Sequence, residues 1–435
     1  MVERLARFVV ARSWDDLSDA ARGELKIRAL DALGCALGAL RAPPVRAIRA
    51  QVEEFGGRPL CTLIGGGATA PDRAALCNGA LVRYLDFNDS YFAPGETCHP
   101  SDNLAPVLAA AEYAHASGRE LLTALAVAYQ VQCRLSDEAP VRARGFDHTT
   151  QGAYAAAAGA AKALRLGEAE TANAVAIAVT ALNALRVTRT GTLSQWKGLA
   201  YPFTSFGTVE AAFLAARGVT GPSEVFEGNK GFMETIVGRF KIDWEQEDLE
   251  RVRRTFLKRY NAEIHSQSAL EALLELRDAH GVHPTGVERI ELETFQVAYD
   301  IIGGGEEGGK KEITNEGAGR PLPALPACGR APGRAGHARA VCTRADRPRG
   351  RAGAAAAGGR AGRGRSDSPF SGRARLPAAP SPRRRRDAHR REIRLRGLPD
   401  APDGLGASAR EVRAARRRAG RAGARGRARR GGRRP

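Results

Sequence analysis

"HTTQGAYAAAAGAAKAL", His148–Leu164, decides how this chain is read. An imidazole comes first, two threonines able to cap a helix follow, and a run of alanines continues with one tyrosine and one lysine. The run leaves no polar face of ordinary width, so the helix predicted over 150–166 must be packed on nearly every side, and small side chains let neighbouring axes come close. Stretches of the same grammar predict further helices over 104–115, 121–135 and 168–185. Earlier, "DDLSDAARGELKIRALDALGCALGAL" sets Leu25, Ile27, Leu30, Leu33 and Leu37 at helical spacing. "PDRAALCNGALVRYLDF" opens with Pro71 at a first helical position. Gly118, Gly167 and Gly218 are expected to mark helix ends.

Near Val287 the pattern changes. "GVERIELETFQVAYDII" alternates Val287, Ile290 and Leu292 against charged neighbours and reads as a strand running into a helix. The expected fold is mainly α: a large all-helical domain over 1–270, the start of a smaller α/β lid domain over 271–316 that is cut short, and a low-complexity tail over 317–435.

The formal net charge of +19 suggests nucleic acid until the chain is divided. Residues 321–435 hold 32 Arg, no Lys and 7 acidic residues; the remainder is slightly acidic, at −6. The tail, as in "GRAGRGRSDSPFSGRARLPAAPSPRRRRD", has one Ile (Ile393) and one Phe (Phe370), too little apolar surface to offset chain entropy, and is expected to be disordered. A basic arm for RNA or DNA and a featureless linker are two readings of it. The third, preferred here, is out-of-frame translation of a GC-rich gene, because Ala, Arg, Gly and Pro are written by G/C-only codons. With aromatic residues nearly absent, nucleic acid is expected to bind the tail only non-specifically, if at all.

Seven cysteines without CxxC spacing argue against a disulfide framework or a thiolate zinc site and fit a reducing, cytoplasmic setting. No run of 18 apolar residues is present, so no membrane span is expected. "GGGATAP" at Gly65 lacks the ending of a phosphate loop, and GxSxG and GxGxxG are missing. His280 and His283 lack metal spacing, and neither metal nor cofactor is expected.

Three of the eight histidines share one context. His99 precedes Pro100 and Ser101, His148 precedes Thr149 and Thr150, and His265 precedes Ser266, Gln267 and Ser268, each in front of a predicted helix. Ser268 and Glu271 have capping-box spacing. A helix N-terminus favours anions and keeps a nearby imidazole neutral, fit to act as a base or hydrogen-bond donor. Three such sites, if they converge, suit a substrate with several carboxylates; the plainer alternative is that each His caps its own helix. Lys197 in "GTLSQWKGLAYPF" and Lys258 in "FLKRYNAEIH" sit among apolar residues. "YLDFNDSYF" gathers Asp86, Asn88, Asp89 and Ser90 at a helix end, where carboxylates can orient a His or Lys.

These segments resemble the MmgE/PrpD family. "YLDFNDSY" resembles its Asp-Phe-Asp-Asp-Thr stretch, "HPSDNLAPVLAAAEY" its His-Pro motif, and "ARGFDHTTQGAYAAAAGAAKAL" its second histidine segment. "LSQWKGLA" is similar to its Trp-Lys-Gly segment and "KRYNAEIHSQSALEA" to its Lys…Ala-Glu-Phe-His-Ser-Gln signature. The match runs from about residue 5 to about 316, and its details lie nearest the 2-methylcitrate dehydratase branch. The resemblance implies a helical domain with an α/β lid, a homodimer, and cofactor-free elimination of water from a hydroxy di- or tricarboxylate. A related decarboxylase or epimerase, or an inactive frameshifted product, is the alternative. It implies Asp86, His99, His148, Lys197, Lys258 and His265 as catalytic residues, with Ser90, Ser101 and Ser266 as substrate-binding ones; Ser90 stands where the family usually has Thr. After "KKEITNE" the family continues with Asp-His-Ser-Leu-Pro-Tyr, whose Tyr belongs to the active site. This chain has "GAGRPLPALPACG" there instead.

Overall fold

The computed structural model describes residues 1–283, 287–303, 307, 329–331, 337–343 and 391–396. In chain order the elements are α1 (Val2–Ala11), α2 (Asp19–Ala39), α3 (Pro43–Phe55), the strands β1 (Cys61–Thr62) and β2 (Ala68–Thr69), then α4 (Pro71–Tyr84). The hairpin β3 (Tyr91–Ala93) and β4 (Glu96–Cys98) leads into α5 (Leu104–Tyr113), α6 (Gly118–Glu138), α7 (Thr149–Ala163), α8 (Glu168–Ala181) and α9 (Ala200–Ala215). After a long irregular stretch come α10 (Gln267–His280), β5 (Val287–Phe295) and α11 (Gln296–Ile302). The first part of the chain is therefore helical, as expected, and also carries two small antiparallel hairpins. Helix α10 runs across the boundary placed at 270.

Helix α7 is the centre of the bundle. It packs against α5, α6, α8 and α9, and every residue from Gln151 to Ala161 is buried. Its glycines are needed for closeness. A Cβ on Gly152 would lie 2.3 Å from a ring carbon of Tyr201, and one on Gly159 2.7 Å from Val107. The lone lysine of the run, Lys162, donates to the Val10 carbonyl at 2.8 Å, which anchors α1.

Two glycine expectations are corrected. Gly118 begins α6 behind a capping box of Ser117 and Glu120, and Gly167 is the N-cap of α8. The preceding helices end instead on left-handed non-glycine residues, His115 (φ 49°) and Arg165 (φ 59°), while N–H groups one residue further on close back onto Ala111 and Ala161. That closure satisfies orphan carbonyls and outweighs the small cost of φ > 0. Gly218 (φ 86°) does lie just past α9. The Ser268–Glu271 capping box does not form, because α10 starts earlier, at Gln267, and Glu271 pairs with Arg259.

Helix α2 is helical as predicted, but four of its five large apolar residues point outward. Ile27, Leu30, Leu33 and Leu37 are exposed, Leu30 by 71%, whereas Ala21, Leu25, Ala32, Cys35, Ala36 and Ala39 are buried. Arg28 fixes this rotation by donating to the Thr255 hydroxyl at 2.7 Å and carbonyl at 2.9 Å inside the protein.

Beyond α10, the strand-then-helix reading holds: β5 passes directly into α11. β5 pairs antiparallel with β7 (His337–Thr343) and parallel with β8 (Arg391–Arg396), and β6 (Gly329–Ala331) joins β7, giving the order β6-β7-β5-β8. The remainder of the expected 317–435 tail, and with it the disorder read there, lies outside the described residues. Cys35, Cys61, Cys77, Cys98 and Cys133 are free and buried; burial pushes the Cys35 and Cys61 thiols up to about 12 and Cys77 to about 11. No helix among the described residues is long and apolar enough to cross a membrane.

Candidate active site

The three histidine-bearing segments converge. His99, the residue before a 3₁₀ turn (Pro100–Asn103) that leads into α5, His148 at the N-cap of α7, and His265 in the turn before α10 all line one pocket. Asp86, Lys197 and Lys258 line it too, so all six residues expected to be catalytic share one cavity. None of the three helices is capped by its neighbouring hydroxyl. Thr150 Oγ1 instead accepts from the Ala184 amide, and Ser101 Oγ from Asn88. The hydroxyls hold the surrounding loops together and leave the imidazoles for the cavity.

Asp86 is the hub. It follows the end of α4 with a left-handed backbone (φ 51°), a conformation that Asp tolerates better than most residues. The turn drives its carboxylate inward. Oδ1 accepts from Arg83 Nη1 (2.7 Å) and Lys258 Nζ (2.9 Å), and Oδ2 from Lys197 Nζ (2.9 Å). Burial opposes the charge on Asp86, but Lys197, Lys258 and Arg83 outweigh it and hold the carboxyl well below its usual range. Lys197 is lowered by burial, partly offset by Asp86. Lys258 reaches Asp86 because the segment just before it is pinned: the Ser90 and Phe256 backbones exchange hydrogen bonds of 2.9 and 2.8 Å.

His99 and His148 lie edge to face, with ring centroids 5.2 Å apart. His99 Nδ1 is 2.7 Å from the Asp89 carbonyl and 3.0 Å from Ser90 Oγ. A carbonyl only accepts, so Nδ1 carries the hydrogen and Nε2 is bare. It is thus the backbone of Asp89 that orients this ring; the Asp89 carboxylate is occupied by Tyr129 and the Ser101 amide. His148 Nδ1 faces the Asp147 carboxylate at 3.2 Å, and its Nε2 is buried without a partner. Burial pushes both imidazoles well below the ordinary value; Arg83 and Lys258 add to this at His99, while at His148 the Asp147 carboxylate opposes it and Arg189 and Arg83 add to it, so both are neutral at pH 7. His265 Nδ1 faces Glu263 at 2.7 Å.

The three serines lie behind the pocket wall. Ser90 touches His99, Ser101 is bound to Asn88 and Asp89, and Ser266 donates to the Glu263 carbonyl. Sequence reasoning missed the arginines. Arg83, Arg142, Arg186 and Arg189 line the same cavity. Arg189 clamps Asp147 (2.5 and 3.2 Å), and Arg142 and Arg186 grip Glu307 at 2.9 and 2.6 Å. Arg83 precedes Asp86 by one helical turn and Asp147 directly precedes His148, signals that were available in the sequence. The cavity is thus a buried, strongly cationic recess with two neutral imidazoles side by side, suited to gripping carboxylates and moving protons. Among the described residues no group of three or more His, Cys, Asp or Glu side chains is arranged to hold a metal ion.

Comparison with known proteins agrees with this chemistry. The family model for the MmgE/PrpD N-terminal domain matches residues 3–245, and that for the MmgE/PrpD C-terminal domain matches residues 260–319. The chain is 32% identical over 303 residues to 2-methylcitrate dehydratase of Escherichia coli (strain K12), covering 63% of this chain and 60% of that protein. It is 30% identical to 2-methylcitrate dehydratase of Cupriavidus necator, again with 63% and 60% covered. It is 29% identical to the mitochondrial 2-methylcitrate dehydratase of Yarrowia lipolytica, with 63% and 56% covered. The chain spans about 60% of the length of these curated relatives.

Proposed function

We propose, since the chain belongs to the MmgE/PrpD family, that it is a cofactor-independent hydro-lyase of the 2-methylcitrate dehydratase type. It eliminates water from a hydroxy di- or tricarboxylate, works in the cytoplasm and acts as a homodimer. The observation that carries this reading is the convergence of His99, His148 and His265 with Lys197, Lys258 and four arginines on one buried recess.

The chemistry follows from the residues. Arginine and lysine side chains at the cavity wall bind the substrate carboxylates, and burial strengthens each contact relative to water. One neutral imidazole removes the proton α to a carboxylate while a protonated group releases the hydroxyl as water. Lys197 and Lys258, already gathered at Asp86, stabilise the charge that builds on the carboxylate as the proton leaves.

The test is an ultraviolet assay for the conjugated double bond of the product, run on the full chain with 2-methylcitrate and citrate. His148→Gln should lower kcat by about 10²–10⁴-fold, the usual worth of a general acid or base. Turnover unchanged by that substitution would remove His148 from the reaction. Absence of elimination with every hydroxy polycarboxylate would sink the lyase reading itself.

A further inference from the structure

The two neutral rings are held by different partners, and the difference assigns their roles. Resting on the lyase reading above, we propose that His99 is the base and His148 the acid of the elimination, and that Asp147 is the positioning residue that steers onto His148 a proton taken up with the substrate. The Cα–H bond breaks and its proton goes to His99 Nε2. The electron pair forms the C=C bond while the C–O bond breaks. The departing oxygen takes the Nε2 proton of His148 and leaves as water. The proton on His99 then returns to solvent.

The geometry supports each part. His99 donates Nδ1–H to a neutral carbonyl and touches a neutral hydroxyl, so nothing in direct contact with it favours a second proton. His148 Nδ1 faces a carboxylate, which stabilises an imidazolium, and its unpartnered Nε2 is the only nitrogen left to hand a proton on. Asp147 is itself fixed in place: Arg189 donates to both its oxygens, Arg186 lies 3.6 Å away, and the Thr149 amide donates to it at 3.2 Å.

Without substrate, burial and the surrounding cations keep the proton off. His148 faces Arg189, Arg83 and Arg186 besides Asp147, and His99 faces Arg83, Lys258 and His148 against Asp86. Lys197 and Arg142 add to the positive side of the cavity, Glu96 and Glu263 to the negative, and the His265 ring lines it as well. A substrate with two or three carboxylates cancels part of that positive field, and the imidazole beside a carboxylate is the one that gains. Substrate binding and proton uptake are thereby linked.

The experiment is calorimetric binding of propane-1,2,3-tricarboxylate, which lacks the hydroxyl and cannot react. It is run at pH 8 in buffers of different ionisation enthalpy, with the full chain and with His99→Gln, His148→Gln and Asp147→Asn. Wild type and His99→Gln should take up about one proton per site, and His148→Gln and Asp147→Asn close to none, since an ordinary imidazole of pKa about 6.5 is neutral there. For turnover, Asp147→Asn should move the alkaline limb of the kcat profile to lower pH with KM little changed. Uptake lost in His99→Gln and kept in His148→Gln would overturn the assignment. So would binding without uptake in the wild type. If Asp147→Asn does not fold, the contrast between the two histidine variants decides. Failure of the wild type to bind the tricarboxylate would take down the polycarboxylate reading and the inference together, whereas binding with the wrong proton pattern sinks the inference alone.

Discussion

The two sides of the pocket are built differently. One side comes from residues 83–265: short turns and helix ends that aim charged side chains inward, backed by buried partners such as Asp147 for Arg189 and Asp86 for Lys258. The other side comes from the segment after β5 and offers Ile301 and Ile302 from α11, with Glu307 bound to Arg142 and Arg186. The first side holds the polar and charged groups on a close-packed frame; the second covers them, tied on by the Glu307 carboxylate against Arg142 and Arg186, by the Gly191 amide donating to the Glu307 carbonyl, and by the Phe295 ring against His265. The proposed reaction places its chemistry on the close-packed side, which is what preorganised charge requires.

The contrast is broken most severely from beneath. Gly152→Ala drives a methyl group against the edge of the Tyr201 ring, and Tyr201 also donates to Asn103 at the foot of the His99 segment. A loss of about 1–3 kcal/mol of stability is expected, read as a lower thermal midpoint together with weaker tricarboxylate binding. An unchanged midpoint would mean that the frame is softer than its packing implies. A smaller effect is expected on the covering side. Glu307→Gln should raise KM by about 3- to 10-fold, near 1 kcal/mol, with kcat within about twofold; a fall in kcat comparable to that of His148→Gln would bring this segment into the chemistry.

The smallest effect sharpens the electrostatics of the frame. Burial raises Asp102 to about 7, against Arg83, which lowers it. The folded chain therefore binds this proton more tightly than the unfolded chain does. The stability it contributes is full below about pH 3.8 and is lost as the pH rises through about 7. Asp102→Asn should flatten that decline between about pH 4 and 7; parallel pH–stability curves for the two proteins would count against it.

Much of this was legible in the residues, and the rest has identifiable reasons. The alanine run of α7 announced a helix with no exposed face, and the recurring His–Ser/Thr start announced the three walls of one pocket. Convergence itself is a long-range fact that local spacing only suggests. The outward stripe of α2 could not be read from periodicity, because large and small residues form two competing faces and the buried one was chosen by close packing and by Arg28. Glycine as a helix stop failed at 118 and 167, where an N-cap was the stronger demand on the backbone. The arginines were overlooked because a surface arginine and a buried one look alike until their carboxylates are located.

The buried thiols of Cys35, Cys61 and Cys77 offer a use of their own. Thiolate is the reactive form of cysteine, and groups raised to about 11 or 12 stay protonated and chemically silent at neutral pH. Cys61 and Cys77 lie in the packing between α3, α4 and α5, and Cys35 on the inner face of α2. An alkylating reagent that marks one of these sulfurs therefore records a moment when those helices parted, so peptide-resolved labelling clocks the breathing of the frame site by site.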